Sequence, residues 1–209
     1  MIDTLSLVIQ AGGGSRRMGE DKALKPFLGR PLIMRVMDRV GHLAGEILVT
    51  SNHPENYASL PLKVFPDLVP GRGTLGGLYT ALASATLPLV AVVACDLPFS
   101  SAAMLERMVV LMEQEKADAV VPCWGGEEYS PARSGWEPLH AVYRRETCLP
   151  AVRTSLEAGE WKVIAWFPHL KVRPFTMEEA AACDPSGLAF WNVNTPEEFE
   201  EAERVAGEE

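Results

Sequence analysis

The stretch LPLVAVVACD (87–96) is apolar at every position before it ends in an aspartate. A strand alternates its side chains between two faces, so this one needs apolar cover on both. That requirement selects a mainly parallel sheet sandwiched between helices. The remainder keeps the same rhythm: LSLVIQA (5–11), EILVTS (46–51), LKVFP (62–66) and ADAVVPCW (117–124) read as strands. Between them lie helix-length segments. Pro31 opens LIMRVMDRVGHL, TLGGLYTALASA (74–85) carries glycines in its first turn, and SSAAMLERMVVLMEQEK (100–116) opens on a serine cap. HAVYRR, RTSLEAGEWK, KVRPF and LAFWNVN alternate short strands with helical pieces, and TPEEFEEAERVA closes the chain as a capped acidic helix. No linker or repeat interrupts the 209 residues, so the expectation is one three-layer α/β/α domain, 1–209, around a mostly parallel twisted sheet.

The formal net charge of −9 argues against nucleic acid or anionic lipid as a partner. The charge is nevertheless uneven. From Arg16 to Arg39 the basic residues Arg16, Arg17, Lys22, Lys25, Arg30, Arg35 and Arg39 face only Glu20, Asp21 and Asp38. A local cationic patch on an acidic chain suits a small polyanion. The first residues have no basic leader pattern and no run reaches membrane-span length, so the expected location is cytoplasmic. Cys95, Cys123, Cys148 and Cys183 lack paired spacing and read as packed thiols; His42, His53, His140 and His169 lack metal-like spacing, and His140 alone sits inside a strand.

The segment AGGGSRRMGEDK (11–22) follows the first strand directly. A phosphate loop of the G-x-x-x-x-G-K-[ST] kind would span Gly14 to Gly19, but Glu20 and Asp21 stand where the lysine and hydroxyl belong. A G-x-G-x-x-G dinucleotide turn fails at Arg17. What remains is a bare backbone at the carboxyl end of a strand, able to cradle phosphate oxygens with its N–H groups. Arg16 and Arg17 add forked donors and Lys22 a movable charge.

AGGGSRRMGEDKALKPFLGRPLI resembles the signature loop of the molybdenum cofactor guanylyltransferases, the MobA family, within the glycosyltransferase-A-like nucleotidyltransferases. LKVFPD, GTLGGL, VVACDLPF, EPLHAVY and NVNTPEEFEEA follow in that family's order. The resemblance implies a Rossmann-like nucleotidyltransferase fold that transfers GMP from GTP to molybdopterin, with Mg²⁺ as cofactor and pyrophosphate as leaving group. Other cofactor-biosynthesis proteins or recipient molybdoenzymes are the implied protein partners. A relative using CTP or another phosphorylated acceptor, or a nucleotide-binding module without catalysis, are the competing readings.

Residue by residue, the resemblance implies that Gln10, Ala11, Gly12 and Gly13 meet the nucleotide. Gly12 to Gly19 with Arg16, Arg17 and Lys22 hold the triphosphate, Asn52 contacts the base and Asp67 helps place the nucleotide. Asp96 binds the metal, and Asn192 and Asn194 line the molybdopterin side. Gln10 stands where the family has an aliphatic residue. In a strand Asn192 and Asn194 share a face, whereas an Asx turn before the final helix accounts for Asn194 equally well. Lys25 reads as a solvated loop charge. CWGGEEYSPARSG (123–135) is longer than the family's usual connection and reads as a lid, acceptor loop or hairpin excursion; its neighbourhood holds Trp124 and Trp136, which either stack on a pterin or pack a hairpin. The attacking phosphate monoester, with a second pKa of about 6, is already ionised at neutral pH, so the chemistry asks for positioning and charge neutralisation.

Overall fold

A computed structural model of the chain describes residues 1–11, 21–124 and 135–209. The strands are β1 (Ile2–Gln10), β2 (Pro26–Phe27), β3 (Arg30–Pro31), β4 (Ala44–Thr50), β5 (Val64–Phe65), β6 (Leu89–Ala94), β7 (Ala119–Pro122), β8 (His140–Arg144) and β9 (Val172–Phe175). The helices are α1 (Leu32–Val40), α2 (Gly73–Ser84), α3 (Ala102–Glu115), α4 (Arg145–Glu157), α5 (Met177–Cys183) and α6 (Pro196–Ala206).

Among the described residues one seven-stranded sheet runs β5-β4-β1-β6-β8-β7-β9. All neighbours pair in parallel except β8, which is antiparallel to both β6 and β7. The all-apolar strand β6 is buried throughout, as its sequence requires. Leu89, Ala91 and Val93 join Leu7, Ile9 and the apolar stripes of α1 and α3 in one core layer. Val90 and Val92 face the other way, with Val8, Leu48, α2 and α4. The three-layer architecture therefore rests on the alternation within single strands.

A third, smaller core does the work of joining the chain's two ends. Phe27, Leu32, Phe99, Val193, Phe199, Ala202 and Ala206 pack together, with the Phe27 and Phe199 rings edge-to-face at 5.4 Å. The β2–β3 ribbon that delivers Phe27 turns through Leu28 and Gly29, both with positive φ, as a tight two-residue hairpin turn requires. Leu28 N donates to Glu203 Oε1 of α6. Lys25 sits over the Phe199 ring with its Nζ 4.2 Å from the centroid, so its charge is part of this junction and not a free loop charge.

Two local expectations need correction. The segment LAFWNVN forms no strand or helix; its backbone is instead held by the bond from Val193 N to Asp96 O, 3.0 Å. The helix placed over RTSLEAGEWK begins earlier, at Arg145, and carries Pro150 inside it. Pro150 lies in the second turn, where it leaves the Glu146 carbonyl without its helical N–H partner.

Candidate active site

In an open parallel sheet, ligands gather at the carboxyl ends of the strands. β1 ends at Gln10, and Ala11 N donates to Thr50 O at the end of β4. β6 ends at Ala94, and Asp96 lies two residues beyond, in the turn that leads to Pro98. The cleft is thus floored by strand ends whose positions the ladder fixes.

Lys22 is the meeting point. Its Nζ lies 3.0 Å from Asp96 Oδ2 and 3.0 Å from Asn194 Oδ1, joining three segments distant in sequence. The lysine side chain is 13% exposed and the aspartate 22%, so the pair is shielded yet open on one side. Lys22 begins a single turn of tight helix, Lys22–Leu24, capped by Asp21, whose Oδ1 accepts from Ala23 N. The other oxygen of Asp21 accepts from the buried Tyr57 hydroxyl at 2.7 Å. Burial, then this bond, raises the Tyr57 pKa well above its ordinary value, so the phenol remains a donor. Asp21 is therefore a fixed anchor that aims the next residue, Lys22, into the cleft.

Asn194 is aimed just as firmly. Thr195 caps α6 and accepts from Glu198 N, while Glu198 Oε2 accepts from both Thr195 N and Asn194 N. This reciprocal cap orients the asparagine from its own backbone. Asn192 stands half-buried two residues earlier and makes no side-chain hydrogen bond among the described residues.

On the other flank, Asp67 follows β5 and pairs with Asn52, which follows β4. Half-burial raises the Asp67 carboxyl pKa, and the Asn52 amide partly opposes that rise. The Gln10 side chain is 6% exposed and lies against Gly77 of α2. Among the described residues its Oε1 has no hydrogen-bond partner, and neither has Oγ1 of Thr50, its register neighbour on β4. Gly12, Gly13 and Arg16, with Gly14, Arg17 and Gly19, lie outside the described residues.

His140 is completely buried and serves the fold. Its Nε2 accepts from Ser101 N at 3.2 Å, and burial lowers its pKa to about 4. Trp136 packs edge-to-face on Phe167, centroids 5.1 Å apart, whereas Trp124 is 41% exposed at the cleft end of β7. Glu137 was hidden in the motif EPLHAVY: a glutamate beside a proline in a charged loop carries no signal of burial. The structure half-buries it, with Trp124 Nε1 donating to its Oε1 at 3.3 Å. Asp21 and Tyr57 were equally silent, because they act on one another across 36 residues, whereas Glu198 completes the cap that the Thr-Pro-Glu-Glu start announces.

The MobA-like NTP transferase domain matches residues 7–172 of this mainly parallel α/β chain, which is therefore a nucleotidyltransferase. The Molybdenum cofactor guanylyltransferase of Desulfosudis oleivorans is 34% identical over 203 residues, covering 97% of this chain and 96% of its own. The Probable molybdenum cofactor guanylyltransferase of Pelotomaculum thermopropionicum is 36% identical over 200 residues, 95% and 92% of the two chains. The present chain belongs to the molybdenum cofactor guanylyltransferase family. Among solved structures, Molybdopterin-guanine dinucleotide biosynthesis protein A from Archaeoglobus fulgidus superposes with a TM-score of 0.80 at 22% identity, covering 98% of this chain and 100% of its own. The 2-C-methyl-D-erythritol 4-phosphate cytidylyltransferase of Thermus thermophilus shares the fold at a TM-score of 0.69 and 20% identity, over 99% and 100% of the chains.

Proposed function

We propose that this protein transfers GMP from GTP to molybdopterin carrying molybdenum, with release of pyrophosphate. A phosphate oxygen of the acceptor attacks the α-phosphorus, and the bond from that phosphorus to the β-bridging oxygen breaks. The attacking oxygen is already ionised near neutrality, so no side chain need take a proton. Bringing two anions together is the difficulty, and the observation that carries the reading is Lys22 set between Asp96 and Asn194. A cation there answers both substrates.

The residues present fit Mg²⁺. Among the described residues no three His, Cys, Asp or Glu side chains converge as a metal cage. One accessible carboxylate, Asp96, is what Mg²⁺ uses when phosphates and water complete its shell. Bound there, the ion would neutralise charge on the transferring phosphoryl group. Gln10, Ala11 and Gly12 would meet the base through backbone groups, Asn52 would contribute a polar contact, and Asp67 would place the nucleoside. Gly12 to Gly19 with Arg16, Arg17 and Lys22 would bind the triphosphate. Asn192 and Asn194 would face the acceptor. The whole chain, 1–209, acts in this reading as one domain that works in the cytoplasm and passes its product to molybdoenzymes or to other cofactor-biosynthesis proteins. No helix among the described residues is long and apolar enough to cross a membrane.

The test is turnover with Mg²⁺, Mo-molybdopterin and each nucleoside triphosphate in turn, reading pyrophosphate and dinucleotide. GTP alone should give product, EDTA should abolish it and Mg²⁺ restore it. Asp96→Ala should lower kcat by a factor on the order of 10² to 10³ with the melting temperature little changed. Product from CTP and not GTP would overturn the base assignment, and GTP binding without any turnover would mark a binding module.

A further inference from the structure

The strand order separates the cleft into two sides. Gln10, Asn52 and Asp67 belong to the ends of β1, β4 and β5, and Asp96 to the end of β6 in the middle. Beyond β6 come β8 and β7, and at their cleft ends stand Glu137, three residues before β8, and Trp124, two residues after β7. We propose that Glu137 and Trp124 form the subsite that reads the pterin ring of the acceptor, an assignment that rests on the acceptor being a molybdopterin.

Both residues are held by backbone pairing. Glu137 N donates to Pro122 O at 2.9 Å, Trp124 N donates to Gly135 O at 2.8 Å, and Cys123 bridges to Trp136 between them. The indole N–H then fixes one carboxylate oxygen of Glu137. The second oxygen has no hydrogen-bond partner among the described residues. Burial raises the Glu137 pKa, the Trp124 bond opposes that rise and the charge of Asp96 adds to it. A half-buried carboxylate in that position is stabilised by N–H donors from a ligand.

The ring of Trp124 is steadied by Phe190, edge-to-face with centroids 4.9 Å apart, and Phe190 also contacts the ring of His140 at 5.5 Å. Phe190 lies two residues before Asn192, so the segment that brings Asn194 to Lys22 also supports the indole. A pterin offers a flat ring for an exposed aromatic surface. Its N3–H and 2-amino group are adjacent donors, matching a carboxylate, which accepts only. Guanine bears the same donor edge, so a carboxylate on the far side of Asp96 from the nucleotide gives each substrate a reader of its own.

The experiment titrates the full-length protein with pterin-6-carboxylate and with lumazine-6-carboxylate, in which an oxygen replaces the 2-amino group, and follows binding by calorimetry. Wild-type protein should prefer the pterin by about tenfold or more, the worth of a hydrogen bond to a charged group. Glu137→Gln, which keeps an oxygen for the Trp124 N–H, should erase that preference, and Trp124→Ala should weaken both ligands alike. Both variants should bind GTP and melt as wild type does. Equal wild-type affinity for the two pteridines, a preference that survives in Glu137→Gln, or lost GTP binding in that variant would overturn the subsite. Binding of neither pteridine by protein that does turn over Mo-molybdopterin would overturn the subsite alone. GTP binding with no turnover of that acceptor would overturn the acceptor reading and the subsite together.

Discussion

At the scale of single residues, the site depends on what one side chain lets another do. A Cβ built at Gly77 would lie 1.6 Å from Gln10 Nε2 and 2.8 Å from its Cδ. The glycine therefore makes room for a buried carboxamide at the carboxyl end of β1. Gly77→Ala should cost about 1–3 kcal/mol through overpacking and raise KM for GTP, because Gln10 and the adjoining Ala11 must shift. Adding Gln10→Ala should recover most of the lost stability. Additive losses in chemical denaturation of the two single variants and the double variant would refute the coupling.

At the scale of elements, β8 is the strand that breaks the parallel pattern, and its first residue ties it to α3. His140 accepts from Ser101 N, while Ser101 itself caps α3 by accepting from Met104 N at 3.3 Å. Burial holds the folded imidazole neutral down to about pH 4, whereas the unfolded residue takes up a proton near its ordinary pKa of 6.5. The unfolded state thus binds more protons between those values, and stability falls as the pH drops from 6.5 toward 4, by roughly 3 kcal/mol over the window. Urea unfolding of wild type and His140→Gln across pH 4–7 checks this. The variant should show a shallower acid slope, and parallel curves would exclude His140 as its source.

At the scale of the whole molecule, the geometry of the candidate site depends on the small third core that fastens the last helix to the first hairpin. Phe199 is 1% exposed at its centre. Phe199→Ala should destabilise the protein by about 3–5 kcal/mol. It should also lower kcat/KM at temperatures where the fold persists, since Val193 and Asn194 would lose their hold on Asp96 and Lys22. Full activity in a destabilised but folded variant would show that α6 is only a buttress.

How much of this was legible beforehand follows from the range of each signal. The unbroken apolar run of β6, the serine cap of α3 and the Thr-Pro-Glu-Glu start of α6 are local, and each formed where the chain alone places it. Lys22, Asp96 and Asn194 were readable as candidates because their residue types suit phosphate, metal and polar recognition. The antiparallel direction of β8, the irregular path of LAFWNVN and the burial of Glu137 were not readable. They depend on hydrogen bonds and apolar contacts between segments tens of residues apart, which local pattern does not encode. Sequence by itself determined the layered α/β class and the chemistry available, because periodicity and side-chain type are properties of short segments. Tertiary structure alone decided which of those groups meet: it set Lys22 between Asp96 and Asn194, 74 and 172 residues away, through packing that only the closed fold can supply.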